Sequence, residues 1–382
     1  MKPAPRAKAG TGAFVIHELD RRSLDTAAVD DWTNACRTAS NGEWFAGPQW
    51  ILPLIDTYFP AHRLALQFVY CGPALVGVVP LIAESNGRRD VLGFPVNSHV
   101  RRIGAISELP LDKLFDILLP DLKRRGRAYE VAFRQLPVGS NLHDAVISSC
   151  RRSALGFFSR EESRSAVADI SRGWEHYVGG LAGRHLHNLR KLRKMEKSKA
   201  WSTRMFSSSD SFEDGWTALL EIERHSWKHA SGTSIANEPG AAAFYSSVAS
   251  SCARDGMLRL HVSYHEERPV AHTLGVVHGG TYYLLKHSYD ESFKQWSPGL
   301  LLVWQVMQQC AAGGLHSFDF LGDVMSWKAD FATASPAYVS ITAFSSLNMR
   351  GQWNRLAETH LKPTARRLGA KAAFDRIRRG WR

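Results

Sequence analysis

The segment from Thr281 to Phe331 constrains the fold more than any other part of this chain. Its sequence predicts an aromatic strand, a glycine-containing loop, an apolar helix from Leu300 to Cys310 and a second short strand. Free N–H groups and the positive dipole end at the start of a helix attract anions, and Gly299 allows a ligand to approach the backbone closely. The segment therefore predicts a phosphate-binding arrangement within an α/β fold.

The length of the chain indicates two domains. At 382 residues it exceeds what one hydrophobic core usually holds. No apolar run approaches the roughly 20 residues needed to span a bilayer, and Met1 to Gly12 lack the apolar core of a signal peptide. We therefore expect a cytoplasmic protein without a transmembrane segment.

The net charge indicates which partners the protein can bind, and the cysteine pattern indicates whether it has disulfides or a metal site. A formal net charge of +12 favours anionic partners, which include nucleotides, nucleic acid and an acidic membrane surface. The five cysteines are scattered and form no Cys-x-x-Cys pair. We therefore expect reduced thiols, and neither a disulfide framework nor a metal site.

The same order of elements is predicted twice along the chain. In each half a strand is followed by two helices, three strands, a further helix and another strand, which suggests an internal structural duplication. We place the first domain at residues 13–160 and the second at residues 161–346, with Tyr338–Phe344 as its last strand. A basic helical tail is expected at residues 347–382.

Two segments concentrate positive charge. Between Arg184 and Lys197 apolar residues recur every three positions, which leaves Arg190, Arg193 and their basic neighbours on the other face of a predicted helix. Such a face can bind a phosphate-bearing substrate, membrane headgroups or nucleic acid, and a merely solvated face is an equal alternative. The tail from Lys362 to Arg382 allows the same interpretations.

A set of short motifs points to one superfamily. The motifs are His225–Lys228, Val270–Ala271, Tyr289–Asp290, Ser297–Gly299, Asp319–Phe320, Trp327–Lys328 and Phe331, with a weaker set in the first half at Trp32, Phe45–Trp50 and Gly77–Leu81. Together they resemble the GNAT acyltransferase superfamily. The resemblance covers about residues 14 to 345 and is specific to the two-domain branch with CelD-type acetyltransferases and Fem-type peptidoglycan aminoacyltransferases.

The resemblance implies a mixed α/β fold of tandem GNAT-like domains, each with a splayed mixed β-sheet flanked by helices. It implies a degenerate first domain that supports the second and binds the acceptor. In the superfamily the pantetheine arm of the donor lies between two splayed strands, which here end at Tyr289 and Phe320. Bulky side chains beneath Gly299 would be inconsistent with that pocket.

The implied acyl donor is acetyl-CoA, whose pyrophosphate would rest on the loop and the first helical turn. The residues implied in this contact are Gln295, Ser297, Pro298, Gly299, Leu300 and Leu301. The common form of the loop is Q/R-x-x-G-x-G/A, and Gln295-Trp-Ser-Pro-Gly-Leu300 departs from it. No metal is implied.

Four side chains are candidates for the acid–base chemistry of acyl transfer to an amine. Asp319, at the end of a predicted strand, can take or orient the amine proton, and His225, on a helix predicted from Ser209 to His229, can act as a base. The phenol of Tyr289 can protonate a leaving thiolate. The resemblance implies that Lys328 contacts phosphate or developing negative charge.

Each of these four also has a structural alternative, namely loop capping, stabilisation of a helix dipole, strand packing and a solvated surface position. The candidate substrate-binding residues are Lys228, Asp290, Arg190 and Arg193.

The favoured function is an N-acyltransferase that moves an acetyl or other acyl group from acyl-CoA to an amine of a sugar, nucleotide-linked or cell-envelope precursor, as in polysaccharide biosynthesis. Two alternatives stay open. A Fem-like transferase would take its acyl group from aminoacyl-tRNA, which the basic helix would contact. A noncatalytic basic module would dock on a complex or on anionic lipids at the inner face of the membrane.

Overall fold

A computed structural model describes residues 13–39, 43–85, 90–126, 130–181, 194 and 200–361. The chain forms two compact units. The first contains the described residues up to Ile51, Ala61–Ser163 and those from Ala337 onward, and the second contains Leu52–Pro60 and Arg164–Pro336. Both units combine sheets with helices, so the predicted mixed α/β class is confirmed.

The strands are β1 (Phe14–Leu19), β2 (Arg63–Leu64), β3 (Leu66–Cys71), β4 (Ala74–Val79), β5 (Ile82–Ser85), β6 (Asp90–Gly93), β7 (Ile106–Ser107), β8 (Glu130–Pro137), β9 (Gly156–Arg164), β10 (Val167–Asp169), β11 (Trp201–Phe206), β12 (Leu258–His265), β13 (Arg268–His278), β14 (Thr281–Tyr289), β15 (Ser317–Asp319) and β16 (Ala337–Phe344).

The helices are α1 (Thr26–Thr38), α2 (Pro48–Tyr58), α3 (Leu111–Arg125), α4 (Asn141–Arg152), α5 (Trp174–Gly179), α6 (Ser209–Arg224), α7 (Trp227–Ala230), α8 (Ala241–Arg254), α9 (Pro298–Ala312), α10 (Ser326–Ala329) and α11 (Met349–Leu356). Short 3₁₀ turns lie at Trp44–Ala46 and Glu291–Trp296, and a π-helical turn lies at Ala357–Leu361.

The first unit contains two sheets, in the orders β1-β3-β4-β7 and β2-β5-β6-β8-β16-β9. Strand β16 runs antiparallel to β8, from Tyr338 opposite Pro137 to Phe344 opposite Glu130. The sequence predicts Tyr338–Phe344 as the last strand of the second domain, whereas the structure places this strand in the first unit. An alternating apolar pattern predicts a strand but not which sheet provides its partner, and here the neighbours are β8 and β9.

The second unit contains one sheet, in the order β10-β15-β14-β13-β12-β11. Neighbouring strands are antiparallel except for β14 and β15, which are parallel. Because successive residues of a strand point to opposite faces, Ala271 packs into the core around α9, while the next residue of β13, His272, faces α6. Helices α6 and α9 therefore cover opposite faces of this sheet.

The core on the α9 side is aromatic. Trp304 and Met307 of α9 are fully buried there, together with Tyr282 of β14 and Phe318 of β15. The rings of Tyr282 and Phe318 are stacked, with centroids 4.6 Å apart and planes 11° from parallel. Tyr282 and Phe318 are paired residues in the parallel ladder of β14 and β15, so the contact between their rings holds the start of β14 beside β15.

Helix α6 differs from its predicted extent. A capping box of Ser208 and Ser211 begins it, and the apolar side chains that follow explain the predicted helical period. The helix ends at Arg224, and His225 is its C-cap residue. The predicted helix from Ser209 to His229 is therefore wrong in one respect: it is two helices, and Ser226, whose hydroxyl donates to the Glu223 carbonyl oxygen at 2.8 Å, lies between them.

The turn before β13 also differs from its prediction. A proline at position 269 predicts a tight turn between strands, but Pro269 lies inside β13, opposite Tyr264. The turn is formed by Glu266, whose φ of 55° is in the left-handed region, and by its neighbour Glu267. A proline near the start of a strand is tolerated where its missing N–H coincides with an irregular register, as it does here.

None of the helices in the described ranges combines the length and the apolar character that a bilayer crossing requires.

Gly275 of β13 is required by close packing, and its replacement tests the aromatic core. A Cβ at this position would lie 2.2 Å from Cζ of Tyr282, which is fully buried. We expect Gly275→Ala to lower the free energy of unfolding by roughly 1–3 kcal/mol, because the ring must move out of its stack. Urea unfolding measures the change. Gly179→Ala is the matched control, since a Cβ there meets nothing within 4 Å, and equal stability of the two variants would contradict the packing described above.

Candidate functional site

Strands β14 and β15 pair over only three residues and then part. The parallel ladder joins Thr281 to Ser317, Tyr282 to Phe318 and Tyr283 to Asp319. Within the described residues no strand pairs with this edge of β14 from residue 284 to residue 289. The splayed arrangement expected at this place is therefore present, and it leaves this edge of β14 without a strand partner in the described part of the chain.

The other edge of β14 carries a β-bulge at the point where the splay begins. Leu274 of β13 is opposite Lys286, but the next residue, Gly275, is opposite Leu284, so Leu285 is an extra residue. Bulges redirect the side chains that follow them. After this bulge, Lys286 faces α6 and α8, whereas His287 and Tyr289 face the start of α9.

The start of α9 is preceded by a tightly bonded turn. Asp290 accepts hydrogen bonds from the backbone N–H and the hydroxyl of Ser292 at 2.9 and 2.7 Å, and it pairs with Arg268 at 2.5 Å. Although burial acts to raise the pKa of Asp290, these hydrogen bonds and the charge of Arg268 lower it overall. Ser297, with a φ of 53°, then turns the chain into Pro298, the first residue of α9.

The space beneath Gly299 is occupied by side chains. A Cβ on Gly299 would lie 2.6 Å from Nε2 of His287 and 3.1 Å from Cδ1 of Tyr289. The His287 ring also stacks on Trp327 of α10, with centroids 4.9 Å apart. Gly299 is thus needed for packing against His287. The gap between the splayed strands holds the rings of His287 and Trp327, so the open pocket expected beneath Gly299 is closed in this structure.

A buried ionisable pair lies on the opposite face of the sheet. Glu223 of α6 and His272 of β13 are 1% and 0% exposed, and Oε1 of Glu223 lies 2.9 Å from Nε2 of His272. The backbone N–H of Ile235 donates to Oε2 at 2.9 Å. Burial opposes ionisation of Glu223, but the hydrogen bond from His272 and the charges nearby lower its pKa to about 2. Burial lowers the pKa of His272 as well, so the pair holds a carboxylate and a neutral imidazole.

Two lysines flank this pair. Nζ of Lys228 donates to the backbone carbonyl oxygen of His287, on the splayed strand. Nζ of Lys286 lies 4.9 Å from the centroid of the Tyr245 ring. Burial, followed by the charge of Lys228, lowers the pKa of Lys286 to about 8, against the opposing effect of Glu223. We refer to Glu223, Lys228, His272 and Lys286 as the buried charged cluster.

The sequence of this region matches one family. Residues 183–329 match the family model described as an acetyltransferase (GNAT) domain. These residues are a GNAT-type acyltransferase domain. The predicted superfamily and the predicted enzyme class are thereby confirmed, and a GNAT domain implies in general an acyl-CoA donor and an amine acceptor. A search of the curated proteins found no match.

Solved structures share the fold over most of the chain. One is FemX, with a TM-score of 0.56 and 11% identity over 82% of this chain and 95% of that chain. Another is the C-terminal domain of a putative lysylphosphatidylglycerol synthetase from Agrobacterium fabrum, with a TM-score of 0.53 and 12% identity over 82% and 90% of the two chains. A third is L-PGS from Bacillus licheniformis, with a TM-score of 0.51 and 13% identity over 85% and 93%. At these identities the similarity concerns the fold, and it confirms the predicted relation to Fem-type proteins at that level.

In the GNAT domain, Asp319 and Lys328 both hold the loop that follows β15. Asp319 is buried and accepts hydrogen bonds from the Ser165 hydroxyl at 3.1 Å and the Leu321 N–H at 2.9 Å. Nζ of Lys328 donates to the carbonyl oxygens of Phe320 and Leu321 at 3.2 and 2.5 Å. Leu321 has a φ of 46°, a strained conformation for a branched side chain. The two predicted catalytic residues therefore stabilise one strained turn.

His225 and Tyr289 of the GNAT domain are at different ends of the predicted site. His225 is exposed, and its Nδ1 lies 2.9 Å from the Glu221 carbonyl oxygen. Tyr289 ends β14 beside Gly299, and burial together with the charge of Glu291 raises the pKa of its phenol. Tyr289 thus stays protonated at neutral pH, as a proton donor must.

The other predicted contacts of the GNAT domain divide into two groups. Gln295 is exposed in the turn before α9, and the predicted donor contacts from Ser297 to Leu301 form the first turn of that helix. Arg190 and Arg193, predicted to bind substrate, lie outside the described residues. In the described part of the chain no group of three or more His, Cys, Asp or Glu side chains is arranged to hold a metal ion.

The sequence analysis missed Glu223, His272, Lys286 and His287. A charged or titratable residue identifies such a position when the pattern of the helix or strand places it on the buried face, where an apolar residue is expected. Glu223 follows Leu219 at a spacing of four on the buried face of α6, and His272 interrupts the apolar run of β13. Residues of this kind are buried only when paired or functional.

Three buried histidines of the GNAT domain predict how its stability depends on pH. Burial lowers the pKa of His287 to about 3 and of His261 to about 4, and it also lowers that of His272. An unfolded chain protonates histidine near 6.5. The unfolded state therefore binds more protons below that pH, and the free energy of unfolding falls on acidification from pH 7 to pH 5, by up to about 1.4 kcal/mol per pH unit for each histidine.

His261→Asn should reduce the pH dependence of the free energy of unfolding by the contribution of one histidine. Urea unfolding between pH 7 and pH 5 measures this dependence. This window lies above the range in which Glu223 titrates, so the carboxylate of the pair does not contribute. The control is His225→Asn, at an exposed position. An unchanged slope in His261→Asn would show that this ring is protonated in the folded protein.

Proposed function

We propose that this protein is an N-acyltransferase that moves an acetyl or other short acyl group from acyl-CoA to a primary amine on a sugar, nucleotide-linked or cell-envelope precursor. The observation that carries the proposal is the splay of β14 from β15 beside the buried charged cluster, within a GNAT domain. The splay exposes backbone groups of β14 to an acyl carrier, and the cluster provides groups that can exchange protons.

The chemistry requires one bond to form and one to break. The nitrogen of a neutral acceptor amine attacks the thioester carbonyl, the C–S bond breaks, and the thiolate takes up a proton while the amine loses one. Preorganised donors that face the developing oxyanion supply most of the stabilisation in such reactions. The N–H groups of β14 after the bulge lie on a stretch that no described strand pairs on this edge, and they are suited to this role. Lys228, bonded to the carbonyl of His287 on the same stretch, adds positive charge there.

The remaining predicted residues take supporting roles in this proposal. Tyr289, protonated and beside Gly299, gives a proton to the leaving thiolate. Asp319 and Lys328 position the loop after β15 through Leu321. His225 binds or orients the acceptor from the surface, where its ring is exposed.

The donor must enter where the rings of His287 and Trp327 now meet. Trp327 is in a helix of four residues and contacts Phe320 and Phe331 at centroid distances of 5.8 and 6.4 Å. His287 belongs to the central strand and is held through its backbone by Lys228. Of the two rings, Trp327 is therefore the one that a pantetheine arm displaces, at a cost in binding free energy.

Calorimetry with acetyl-CoA tests the donor. We expect the wild type to bind acetyl-CoA and Trp327→Ala to bind it several-fold more tightly, because no ring has to be displaced. Release of free thiol, followed with a thiol reagent, should depend on added amine, and mass spectrometry identifies the amide formed. Lys123→Met, on an exposed lysine of the first unit, is the matched control and should bind as the wild type does.

Absence of acetyl-CoA binding by both the wild type and Trp327→Ala would reject this donor. Aminoacyl-tRNA would then be the alternative. Its binding should weaken by a factor on the order of 10³ or more between 50 and 200 mM salt, because counterions are released from each neutralised phosphate, and coenzyme A binding should change far less.

A second feature favours action at a membrane surface. Exposed apolar side chains cluster around α11 of the first unit: Leu347 is 69% exposed, Met349 82%, and Trp353 and Leu356 45% each. Met349, Trp353 and Leu356 recur at helical spacing on one face, and Arg350 and Arg355 are exposed on the same helix. We propose that this face inserts into the headgroup region of an anionic bilayer, as basic amphipathic helices do.

Vesicle co-sedimentation tests this docking surface. The wild type should bind vesicles that contain phosphatidylglycerol and should not bind vesicles of phosphatidylcholine alone. The double change Met349→Asp with Trp353→Asp should reduce binding at least about tenfold, since carboxylates oppose both insertion and the surface charge. Met205→Asp, at a residue 52% exposed in β11, is the control. Equal binding by the two variants, or a dimer in solution that only the α11 variant disrupts, would overturn the proposal.

A further inference from the structure

Lys286 lies just after the β-bulge of β14 in the GNAT domain. It is the second residue after Leu284, at which the regular pairing of β14 with β13 is interrupted, and it lies on the stretch of β14 that has parted from β15. Its side chain is half-buried and faces away from α9, with Nζ 4.9 Å from the centroid of the Tyr245 ring. An amine is thus held beside the splayed strand, on the face opposite to the start of α9.

The groups that surround this amine come from every element packed against it. They are Glu223 of α6, Lys228 of α7, His272 of β13, Tyr245 of α8, and Glu238 of the loop before α8. The pKa of Tyr245 is raised by burial, so its phenol is neutral. The charges that face Lys286 are therefore two carboxylates and one ammonium.

Two of these groups are committed to other partners. Glu223 accepts hydrogen bonds from His272 and from the Ile235 N–H, so its carboxylate oxygens serve the fold. Nζ of Lys228 donates to the His287 carbonyl oxygen. Lys286 is the member of the buried charged cluster that the splayed stretch of β14 itself carries, and its Nζ lies against the ring of Tyr245.

We propose that Lys286 contacts the acceptor amine and removes its proton before acyl transfer, with Lys228 and the Glu223–His272 pair positioning it. This inference rests on the proposed function and names the base for it. The acceptor enters as an ammonium ion and gives one proton to Nζ of Lys286. The neutral amine then attacks the thioester, the C–N bond forms and the C–S bond breaks. The thiolate takes the proton of Tyr289, the nitrogen gives up its second proton to restore that phenol, and Lys286 releases the first proton to solvent.

The electrostatics of the site suit this exchange. Burial and the neighbouring Lys228 bring the pKa of Lys286 to about 8, well below the ordinary value near 10.4. A general base works best when its pKa is close to the working pH. The neutral form of Lys286, which carries the lone pair that the step requires, is about a tenth of the total at pH 7 and about half at pH 8.

The first test is the pH dependence of turnover. In the wild type, kcat/KM for the amine should rise through about pH 8 and then level off. Lys286→Met and Lys286→Arg should both reduce it at least about 100-fold, because neither side chain can accept a proton in this range. Lys123→Met is the control. If Lys286→Arg keeps activity within tenfold of the wild type, Lys286 acts only as a cation and the proposal is wrong.

The second test measures the protonation of Lys286 directly, without any acyl-CoA. Trace labelling of the native protein with acetic anhydride at pH 6 to 10, followed by peptide mass spectrometry, gives the pH of half-maximal reactivity for each lysine. Lys286 should reach it near pH 8, and the exposed Lys294 in the same protein is the internal reference. Lys228→Met should move the Lys286 transition to higher pH, because it removes a neighbouring positive charge.

The two hypotheses fail in different ways. A wild type that acylates no amine from any acyl-CoA rejects the proposed function and this inference with it. A wild type that acylates amines while Lys286 titrates near 10, or while Lys286→Arg remains active, rejects this inference alone. Far-ultraviolet circular dichroism of each variant confirms that a loss of turnover is not a loss of fold.

Discussion

The buried pair of Glu223 and His272 is the interaction on which the rest of the second unit depends. A carboxylate with 1% exposure is stable only when its oxygens are bonded, and here the partners are a strand residue and the backbone of Ile235. The pair thereby ties α6, β13 and the loop before α8 together. Replacing His272 leaves one oxygen of the buried carboxylate without its hydrogen bond, which costs about 1–3 kcal/mol and more for a charged group.

The same pair explains why two lysines are found beside a hydrophobic sheet. The charge of Glu223 offsets part of the burial penalty for both Lys228 and Lys286. Lys228 then serves the open edge of β14 by donating to the carbonyl of His287. A buried backbone carbonyl without a hydrogen bond is costly. Where β14 has left β15, Lys228 provides that hydrogen bond for His287, and the charge of Glu223 lowers the cost of burying the Lys228 ammonium.

The splay also determines what fills the gap on the other face. Once β14 leaves β15, His287 and Trp327 meet between them, and Gly299 is required at the start of α9 because a side chain there would collide with His287. The glycine was predicted to admit a ligand, and the structure gives it a packing role. Under the proposed function, both roles are compatible only if the ring of Trp327 moves when the donor binds.

Much of the second unit follows from local patterns. Alternating apolar residues predicted β12 to β14, and the proline and glycine at the start of α9 predicted where that helix begins, as the structure has it within two residues. The break at Ser226 and the turn at Glu266 were not predicted, because each depends on side-chain and register details beyond a single period. Asp319 lies at the end of β15 and Lys328 in the short helix α10, but their hydrogen bonds to the Leu321 turn depend on a backbone conformation that no local pattern indicated.

The sequence by itself determined the elements, the superfamily and the order of strand, loop and helix around Gly299, because these depend on residues close together along the chain. Only the tertiary structure decided that β16 joins the sheet of the first unit and that Glu223, Lys228, His272 and Lys286 meet. The physical reason is that strand partners and buried charge pairs join residues far apart in the chain, here Glu223 with His272 and Phe344 with Glu130. Such long-range contacts depend on which strand edges and polar groups still lack partners once the individual helices and strands have formed.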